Sequence, residues 1–305
     1  MKIGVNYLLE AKELYEEGKI DFIDYFKLFS LNGDLSGMDW CVSKRWVMFH
    51  GACAEDSSFG DKNLIKRVDI QKTKEMIKKS NTPYMSAHIF AHNNGQTEEE
   101  LLDTIKENIA DFKKEFGLEI ALENVPYRDR YEHCEFLIRP ETISKIVREN
   151  NIMFLFDISH ARRSAEHFGM TLEEYVSKLP MERVVEFHLA GIFTLPDISK
   201  DEIRSLYTDG QIEFIEKAKI TEGERFDNHG ILGEDDYIFL KESISKYNSL
   251  KYITLEYGSV NTVKGTRDED VIYPLASFKK TNDVVKNEVL EQLNRIKQIV
   301  DEVCK

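Results

Sequence analysis

The sequence predicts an α/β protein of the (β/α)8 TIM-barrel class, and three observations lead to that prediction. Eight short runs rich in β-branched and aromatic residues are spaced along the 305 residues of the chain. Amphipathic helical segments separate most of these runs. Histidines and carboxylates follow the runs at the ends where parallel barrel strands converge. Strand and helix in repeated alternation form the pattern of a closed parallel barrel.

The eight predicted strands are short and mostly apolar. They are Ile3–Asn6, Ile20–Lys27, Arg45–His50, Tyr84–His88, Glu119–Asn124, Ile152–Asp157, Val184–Gly191 and Tyr252–Gly258. The alternative architecture, a doubly wound open sheet, expects a glycine-rich phosphate-binding turn after the first strand. Here the first strand runs into Asn6-Tyr7-Leu8-Leu9, which favours the barrel.

The predicted helices carry ordinary start and stop signals. They are Leu8–Glu17, Ile70–Lys79, Glu98–Phe116, Pro140–Asn150, Leu172–Leu179 and Asp235–Tyr247. Thr97 is a favourable N-cap for the longest helix, and Gly117 is a favourable stop. An insertion at about 192–232 interrupts the alternation, and an apolar stripe at about 281–304 predicts a closing helix. Since no segment reads as a linker, we expect 1–305 to form a single barrel domain.

The composition is that of a folded protein with an acidic charge balance. Hydrophobic residues make up 42% of the chain, charged residues 31%, and the formal net charge is −14. This charge argues against nucleic-acid binding, because a phosphate backbone requires a basic face. The four cysteines form no CxxC pair, which indicates reduced thiols. With neither a secretory signal nor a membrane-spanning apolar stretch, we expect a cytoplasmic protein with no membrane partner.

Residue types that bind metals lie at the ends of most predicted strands or in the loop just beyond. They are His50, His88, Glu123, Asp157, His160, His188, Asp227, His229 and Glu256. In a parallel barrel these ends meet at one mouth, so residues far apart in sequence become neighbours. Imidazole and carboxylate bind divalent or trivalent ions and leave positions open for water or substrate. This number of ligands suits two or three metal ions, with Glu123 and Glu256 as bridges by position.

Each of these residues also has a purely structural interpretation. A histidine at a strand end is more often a core or rim residue, Asp157 is well placed to cap the following helix, and Glu256 to pair with a lysine. For Asp227 and His229 a plain turn is an equal alternative. A metal centre is predicted because all of the sites obey one geometric rule.

The order His, His, Glu, Asp-x-x-His, His, Asp-x-His, Glu resembles the ligand order of the xylose-isomerase-like barrel superfamily, and in particular the three-metal endonuclease IV group. From Ile20 to Gly258 the chain also resembles the multinuclear non-haem iron-dependent oxidative enzymes. The segments that carry this resemblance are Leu122-Glu123-Asn124-Val125-Pro126-Tyr127, Ser164-Ala165-Glu166-His167-Phe168-Gly169 and His188-Leu189-Ala190-Gly191.

Two departures from that family stand out. Many members have Asp-x-Asn-Asn after the sixth strand, whereas this chain has Asp157-Ile158-Ser159-His160, which favours a fuller metal complement. The family's second strand usually carries a glutamate before an aromatic residue. Here the region reads Ile23-Asp24-Tyr25-Phe26-Lys27, so no role is carried over to this strand.

The resemblance implies an oxygen-using oxidase that holds two or three metal ions, with iron as the implied metal and zinc or manganese as alternatives. It assigns all nine residues to metal binding and Glu123, Asp157 and His160 to catalysis as well. The implied substrate is a residue, commonly cysteine, of a ribosomally made precursor peptide that a partner protein delivers.

Three other functions stay open on the sequence. An endonuclease IV-like phosphodiester hydrolase would use the same residues, although the acidic charge weighs against it. A metal-dependent sugar isomerase or epimerase often needs one metal, so nine ligands exceed its requirement. A non-enzymatic metal-binding barrel is the remaining alternative.

Overall fold

A computed structural model describes residues 1–29, 37–52, 58–91, 95–127, 129–194, 225–257 and 283–304. The strands are β1 (Lys2–Asn6), β2 (Tyr25–Phe29), β3 (Trp46–His50), β4 (Tyr84–His88), β5 (Glu119–Glu123), β6 (Met153–Asp157), β7 (Val184–Leu189), β8 (Gly191–Thr194), β9 (Arg225–Gly230) and β10 (Tyr252–Leu255). Eight of them form a closed parallel barrel in the order β1-β10-β7-β6-β5-β4-β3-β2. The predicted (β/α)8 class is therefore confirmed.

The helices alternate with these strands and cover the outside of the barrel. They are α1 (Leu9–Glu16), α2 (Met38–Lys44), α3 (Ile70–Ser80), α4 (Glu98–Phe116), α5 (Pro140–Glu149), α6 (Ile158–His167), α7 (Leu172–Lys178), α8 (Glu234–Lys246) and α9 (Asp283–Val303), with short 3-10 segments at Leu64–Arg67, Asp129–Ile138 and Met181–Arg183. Thr97 and Glu100 form a reciprocal capping box at the start of α4, as the sequence indicated. In the described part of the chain, no helix is both long and apolar enough to cross a membrane.

The second strand begins later than predicted, at Tyr25 rather than Ile20. Ile20 and Ile23 are buried, but they lie in a turn that the bond from Ile23 N to the Ile20 carbonyl closes. Apolar residues are buried in a turn next to the barrel as readily as in a strand. The composition of this run therefore did not determine where β2 begins.

The seventh strand ends at Leu189, and the chain then leaves the barrel in a two-stranded antiparallel ribbon of β8 and β9. Both strands lie at the ends of the insertion predicted at 192–232, and residues 195–224 lie outside the described residues. A Cβ atom at Gly191 would lie 1.8 Å from the Ile231 carbonyl oxygen, so only glycine permits this exit.

Two helices, α2 and α6, were not predicted from periodicity. Both are short, and α6 is mostly polar and begins directly at the end of β6 with no loop between them. The start of α6 directly after β6 matters for function, because it brings His160 back over the strand ends.

Apolar side chains pack in two clusters. The larger one fills the space between the sheet and the helices, and there α9 contacts α1 and α8 with Val289, Leu293 and Ile296 fully buried. The smaller one lies inside the barrel and includes Tyr25 and Tyr84. That α9 closes one domain spanning 1–305 stays a prediction.

Candidate metal centre

The barrel places the predicted site residues at one end of the sheet. His50 ends β3, His88 ends β4, Glu123 ends β5 and Asp157 ends β6. The remaining members follow on neighbouring elements: His160 in the first turn of α6, His188 in β7, Asp227 and His229 in β9, and Glu256 directly after β10. The convergence expected from strand order is observed for the side chains that the structure describes.

The buried carboxylate of Glu123 lies at the centre of this group and faces four imidazoles. Its Oε2 lies 3.4 Å from His50 Nε2 and 3.5 Å from His88 Nε2. Its Oε1 lies 3.4 Å from His160 Nδ1 and 3.3 Å from His188 Nδ1. Charge-assisted hydrogen bonds are shorter, about 2.7–2.9 Å. The groups therefore converge on Glu123 without closing such bonds to it.

A second buried carboxylate, Glu256, extends the group towards β9. Its Oε1 lies 3.3 Å from His188 Nδ1, and its Oε2 lies 3.2 Å from His229 Nδ1. His188 thus lies between Glu123 and Glu256. His229 has a φ of 54°, in the left-handed region, which costs a non-glycine residue about 1–2 kcal/mol. Strain of this size at a residue that faces the site is typical of functional positions.

The donor atoms form two overlapping groups that are compact enough to hold a cation. One consists of His50, His88 and Glu123, and the other of Glu123, Asp157, His188 and Glu256; within each, the donor atoms lie within 4.8 Å of one another. Glu123 belongs to both.

Hydrogen bonding gives an independent test of whether these residues fit a metal. Both ring nitrogens of His188 and the Oε2 atom of Glu123 are buried without a hydrogen-bond partner among the described residues. Buried polar atoms in this state are costly, by about 1–3 kcal/mol each. A bound cation would satisfy Glu123 Oε2 and the Nδ1 atom of His188, which faces Glu123 and Glu256, so the donor set fits one.

Two histidines are oriented by hydrogen bonds at Nδ1. His160 Nδ1 donates to the Asn124 carbonyl oxygen at 2.7 Å. His50 Nδ1 lies 3.1 Å from Ser86 Oγ, and that hydroxyl donates to the Phe49 carbonyl oxygen. Ser86 therefore accepts from His50. With the proton on Nδ1, the lone pair of a neutral ring lies on Nε2, an arrangement typical of metal-binding histidines.

Asp157 has the capping role considered for it, and its role as a metal ligand stays a prediction. Its Oδ1 accepts from the backbone N–H of His160 and from Ser159 Oγ, each at 2.8 Å, so it caps α6. It also belongs to the second donor group. Asn124 holds the backbone in place, because its side chain donates to the Asp157 carbonyl oxygen and accepts from Asp157 N, each at 2.9 Å.

Burial and neighbouring charges set the pKa values in the site. Burial lowers the pKa of His50 to about 3, so this ring is neutral and its lone pair is available. Burial also disfavours a charged His188, but the carboxylates of Glu256, Glu123 and Glu186 outweigh it and hold the pKa of His188 well above its ordinary value. Burial opposes ionisation of Glu256, yet His188 and His229 hold its pKa well below the usual range.

The site opens on one side. The side chain of His88 is 33% exposed and that of His229 is 14% exposed, whereas the other described members are nearly inaccessible. Beyond the end of β5, the Tyr127 ring stacks on His167 at a centroid distance of 3.5 Å. Among the described members, His88 and His229 are therefore the most accessible from outside the site.

One predicted residue cannot be placed at the level of its side chain. Asp227 lies in β9 opposite Ile192, in a strand rather than the plain turn considered for it, and its side chain lies outside the described residues. Its role as a ligand stays a prediction.

Two charged residues inside the barrel were not predicted from the sequence. Lys27 Nζ lies 2.7 Å from Glu186 Oε2, and both side chains are 0% exposed. A signal for them existed: Lys27 follows Tyr25 by two residues within an apolar run, and Glu186 precedes His188 by two. Residues two apart in a strand face the same side, which here is the barrel interior.

The sequence of this chain also matches a known protein family. A family of RiPP precursor modification enzymes, MbnB/TglH/ChrH, matches residues 32–217. The chain is also 24% identical, over 156 residues, to the UPF0276 protein VP3015 of Vibrio parahaemolyticus. That match covers 48% of this chain and 54% of the relative, so it spans about half the relative's length.

Solved structures share the fold at low sequence identity. A xylose isomerase domain containing protein from Salmonella typhimurium superposes with a TM-score of 0.57 at 14% identity, covering 98% of this chain and 97% of that one. Endonuclease IV from Thermus thermophilus gives a TM-score of 0.52 at 12% identity, with 99% and 100% covered. The likeness concerns the fold alone, and the predicted xylose-isomerase-like barrel is confirmed.

Proposed function

We propose, from the premise that this chain belongs to the MbnB/TglH/ChrH family of RiPP precursor modification enzymes, that it is an iron-dependent oxidase acting on a cysteine of a ribosomally made peptide. Family membership supports the coarser part of this statement, an enzyme with a precursor peptide as substrate. The choice of iron, of oxidation and of cysteine is our proposal.

The observation that carries the proposal is the pair of overlapping donor groups that share Glu123. We assign one metal position to His50, His88 and Glu123, and a second to Glu123, Asp157, His188 and Glu256. His160, Asp227 and His229 complete the set and give room for a third ion next to Glu256. Carboxylates that serve two positions, Glu123 and Glu256, are suited to bridge neighbouring cations.

Bound iron would supply the one-electron chemistry with molecular oxygen that side chains alone cannot perform. The protein's own residues then have three tasks. Glu123 and Asp157 fix the ions at the strand ends, where the closed sheet gives rigid positions. His160 is held by Asn124 with its Nε2 directed away from the backbone. Burial of the other donors excludes water from every side except the mouth.

The open side defines where the peptide approaches. His88 and His229 are the most exposed described members of the site, so a cysteine side chain entering there meets the donor groups from the mouth. A free thiol has a pKa of about 8.5, and a cationic centre lowers it. We assign the stacked Tyr127 and His167 rings, beyond the end of β5, as a surface for the peptide backbone. A delivering partner protein belongs to the proposal and has no contact surface assigned.

Metal analysis combined with peptide mass tests the proposal. The chain is purified without added metal, its metal content is measured, and it is co-expressed with a precursor peptide encoded beside it. We expect at least two irons per chain and an oxygen-dependent change in peptide mass. The same change with His188→Ala would contradict the assignment, and so would a metal complement of zinc or manganese with phosphodiester cleavage or sugar isomerisation. Glu119→Gln, at the exposed start of β5, is the matched control.

A further inference from the structure

A second polar cluster lies inside the barrel, on the N-terminal side of the metal centre. We call it the floor network; it consists of Tyr25 and Lys27 of β2, Tyr84 of β4, Glu186 of β7 and Thr254 of β10. All five side chains are buried. Its contacts cross the barrel interior, because the strands of Lys27 and Tyr84 are not neighbours of β7, the strand of Glu186.

Three donors of the floor network, on Lys27, Tyr84 and Thr254, are directed towards Glu186. Lys27 Nζ donates to Oε2 at 2.7 Å, and Tyr84 OH donates to the same oxygen at 2.6 Å. Thr254 Oγ1 donates to Oε1 and accepts from Tyr25 OH at 2.7 Å. Because three donors meet the carboxylate, it is held in its ionised form.

Glu186 has one acceptor position left, and it faces the metal centre. An ionised carboxylate offers about four lone-pair positions, and the floor network fills three of them. On Oε1 the neighbour that remains is His188 Nε2, at 3.4 Å. The other ring nitrogen, Nδ1, lies 3.3 Å from both Glu123 Oε1 and Glu256 Oε1. His188 therefore has a carboxylate of the floor network on one side and the donor group on the other.

We propose that Glu186 is the outer carboxylate of the metal centre: it accepts the Nε2 proton of His188, so that Nδ1 carries the lone pair for the metal, while Lys27 holds the Glu186 side chain in place. This inference rests on the proposed metal centre. Glu186 and Lys27 are positioning residues, since they act through His188.

Stability alone gives a poor account of the Lys27–Glu186 pair. Removing two charges from water costs so much that an apolar pair of the same volume is often at least as stable. The closed barrel interior has no need of an ion pair to fill it, as the neighbouring apolar cluster with Met48, Leu155 and Val185 demonstrates. A carboxylate behind a ligand histidine, by contrast, fixes its tautomer and raises its basicity as a donor.

The test uses Co2+ as a probe, added to metal-free protein under nitrogen. Its affinity is measured by competition with a chelator, and its visible absorption reports the strength of the ligands. Glu186→Gln leaves Lys27 without a charged partner, so the double variant Lys27→Met/Glu186→Gln is measured beside it. Glu119→Gln makes the same change at a side chain that is 62% exposed at the start of β5.

We expect Glu186→Gln to weaken Co2+ binding by about 10–100-fold, the usual effect of losing an outer partner of a ligand, and to shift the absorption bands. In the double variant the melting temperature of the metal-free protein recovers towards wild type, but the affinity and the bands do not. A double variant with wild-type affinity and spectrum overturns the role of Glu186 and leaves a structural network. If the wild type itself binds no Co2+, the metal centre of the proposed function fails, and this role fails with it.

Discussion

The barrel interior contains two layers of buried polar side chains, and they differ in whether their polar atoms have hydrogen-bond partners. In the floor network, one lysine and two hydroxyl donors satisfy the single carboxylate of Glu186, and Tyr25 completes the chain through Thr254. In the metal centre one layer above, Glu123 Oε2 and both nitrogens of His188 have no hydrogen-bond partner among the described residues. The two layers share β4 and β7, and His188 follows Glu186 by two residues.

The difference indicates where the balancing charge comes from. The floor network contains its own cation, Lys27, in contact with its anion. In the metal centre the carboxylates of Glu123 and Glu256 face imidazoles, which balance a charge only when they are protonated. Buried carboxylates are tolerated when they are paired or bind a metal. The floor network is complete in the protein alone, whereas the metal centre has buried polar atoms that an added cation would satisfy.

The largest effect is expected from a substitution of Glu123, the residue that the two donor groups of the metal centre share. Glu123→Gln keeps the shape of the side chain but removes the charge from both donor groups. We expect peptide modification to fall by more than the roughly 100-fold that loss of an outer partner costs, and metal content to drop by at least one ion per chain. Mass spectrometry of the peptide and elemental analysis measure the two quantities.

Glu119→Gln, on the same strand but at its exposed start, should leave both quantities unchanged. Full metal content in Glu123→Gln would show that the buried carboxylate is not a ligand, and the contrast between the two layers would then need another explanation.

The next effect concerns stability with and without metal. If the mouth needs an added cation, a metal present at 100 times its Kd stabilises the folded protein by about 2.7 kcal/mol. In thermal unfolding this amounts to a rise in Tm of several degrees. His188→Ala should remove most of the rise. If the Tm is the same in chelator and in metal, the metal centre, like the floor network, is complete without an added cation.

A smaller effect on metal affinity is expected when the metal centre keeps its ligands but loses the hydrogen bonds that hold one of them in position. Asn124→Ala removes the two bonds that hold the Asp157 backbone. We expect metal affinity to fall by about 10–100-fold. Asn108→Ala is a matched control, because the buried Asn108 also makes two side-chain bonds to the backbone, at Phe59 and Asp61. Both variants should lose stability, and only Asn124→Ala should lose metal affinity. Equal metal affinities in the two variants would mean that the hydrogen bonds between Asn124 and Asp157 stabilise the fold alone.

The mouth could be predicted from the sequence because barrel geometry converts chain order into position. Each of His50, His88, Glu123 and Asp157 ends a strand, and in a parallel barrel all such ends lie at one rim. The prediction therefore needed only the strands and their direction, and it did not need the pairing partner of any side chain.

The floor and the ribbon could not be predicted in that way, because both depend on contacts between distant parts of the chain. Lys27 and Glu186 are 159 residues apart and meet only when the barrel closes. Likewise β8 and β9 pair across the insertion, and the segment 195–224 between them is far longer than the short loop that predicts a hairpin. The start of β2 was misplaced for a simpler reason, since Ile20 and Ile23 are buried in a turn.

The smallest expected effect on the metal comes from a change in the floor that leaves its ion pair intact. Tyr84→Phe removes one of the three hydrogen bonds to Glu186. The free energy of unfolding should fall by about 1.5–3 kcal/mol, the range for a hydrogen bond to a charged group. Because Lys27 still holds Glu186 ionised, Co2+ affinity should stay within about twofold of the wild type, well short of the loss expected for an outer partner of a ligand. Urea unfolding of the metal-free protein and chelator competition separate the two quantities. A tenfold loss of affinity would show that the floor and the mouth are one energetic unit, and the division between them would be wrong.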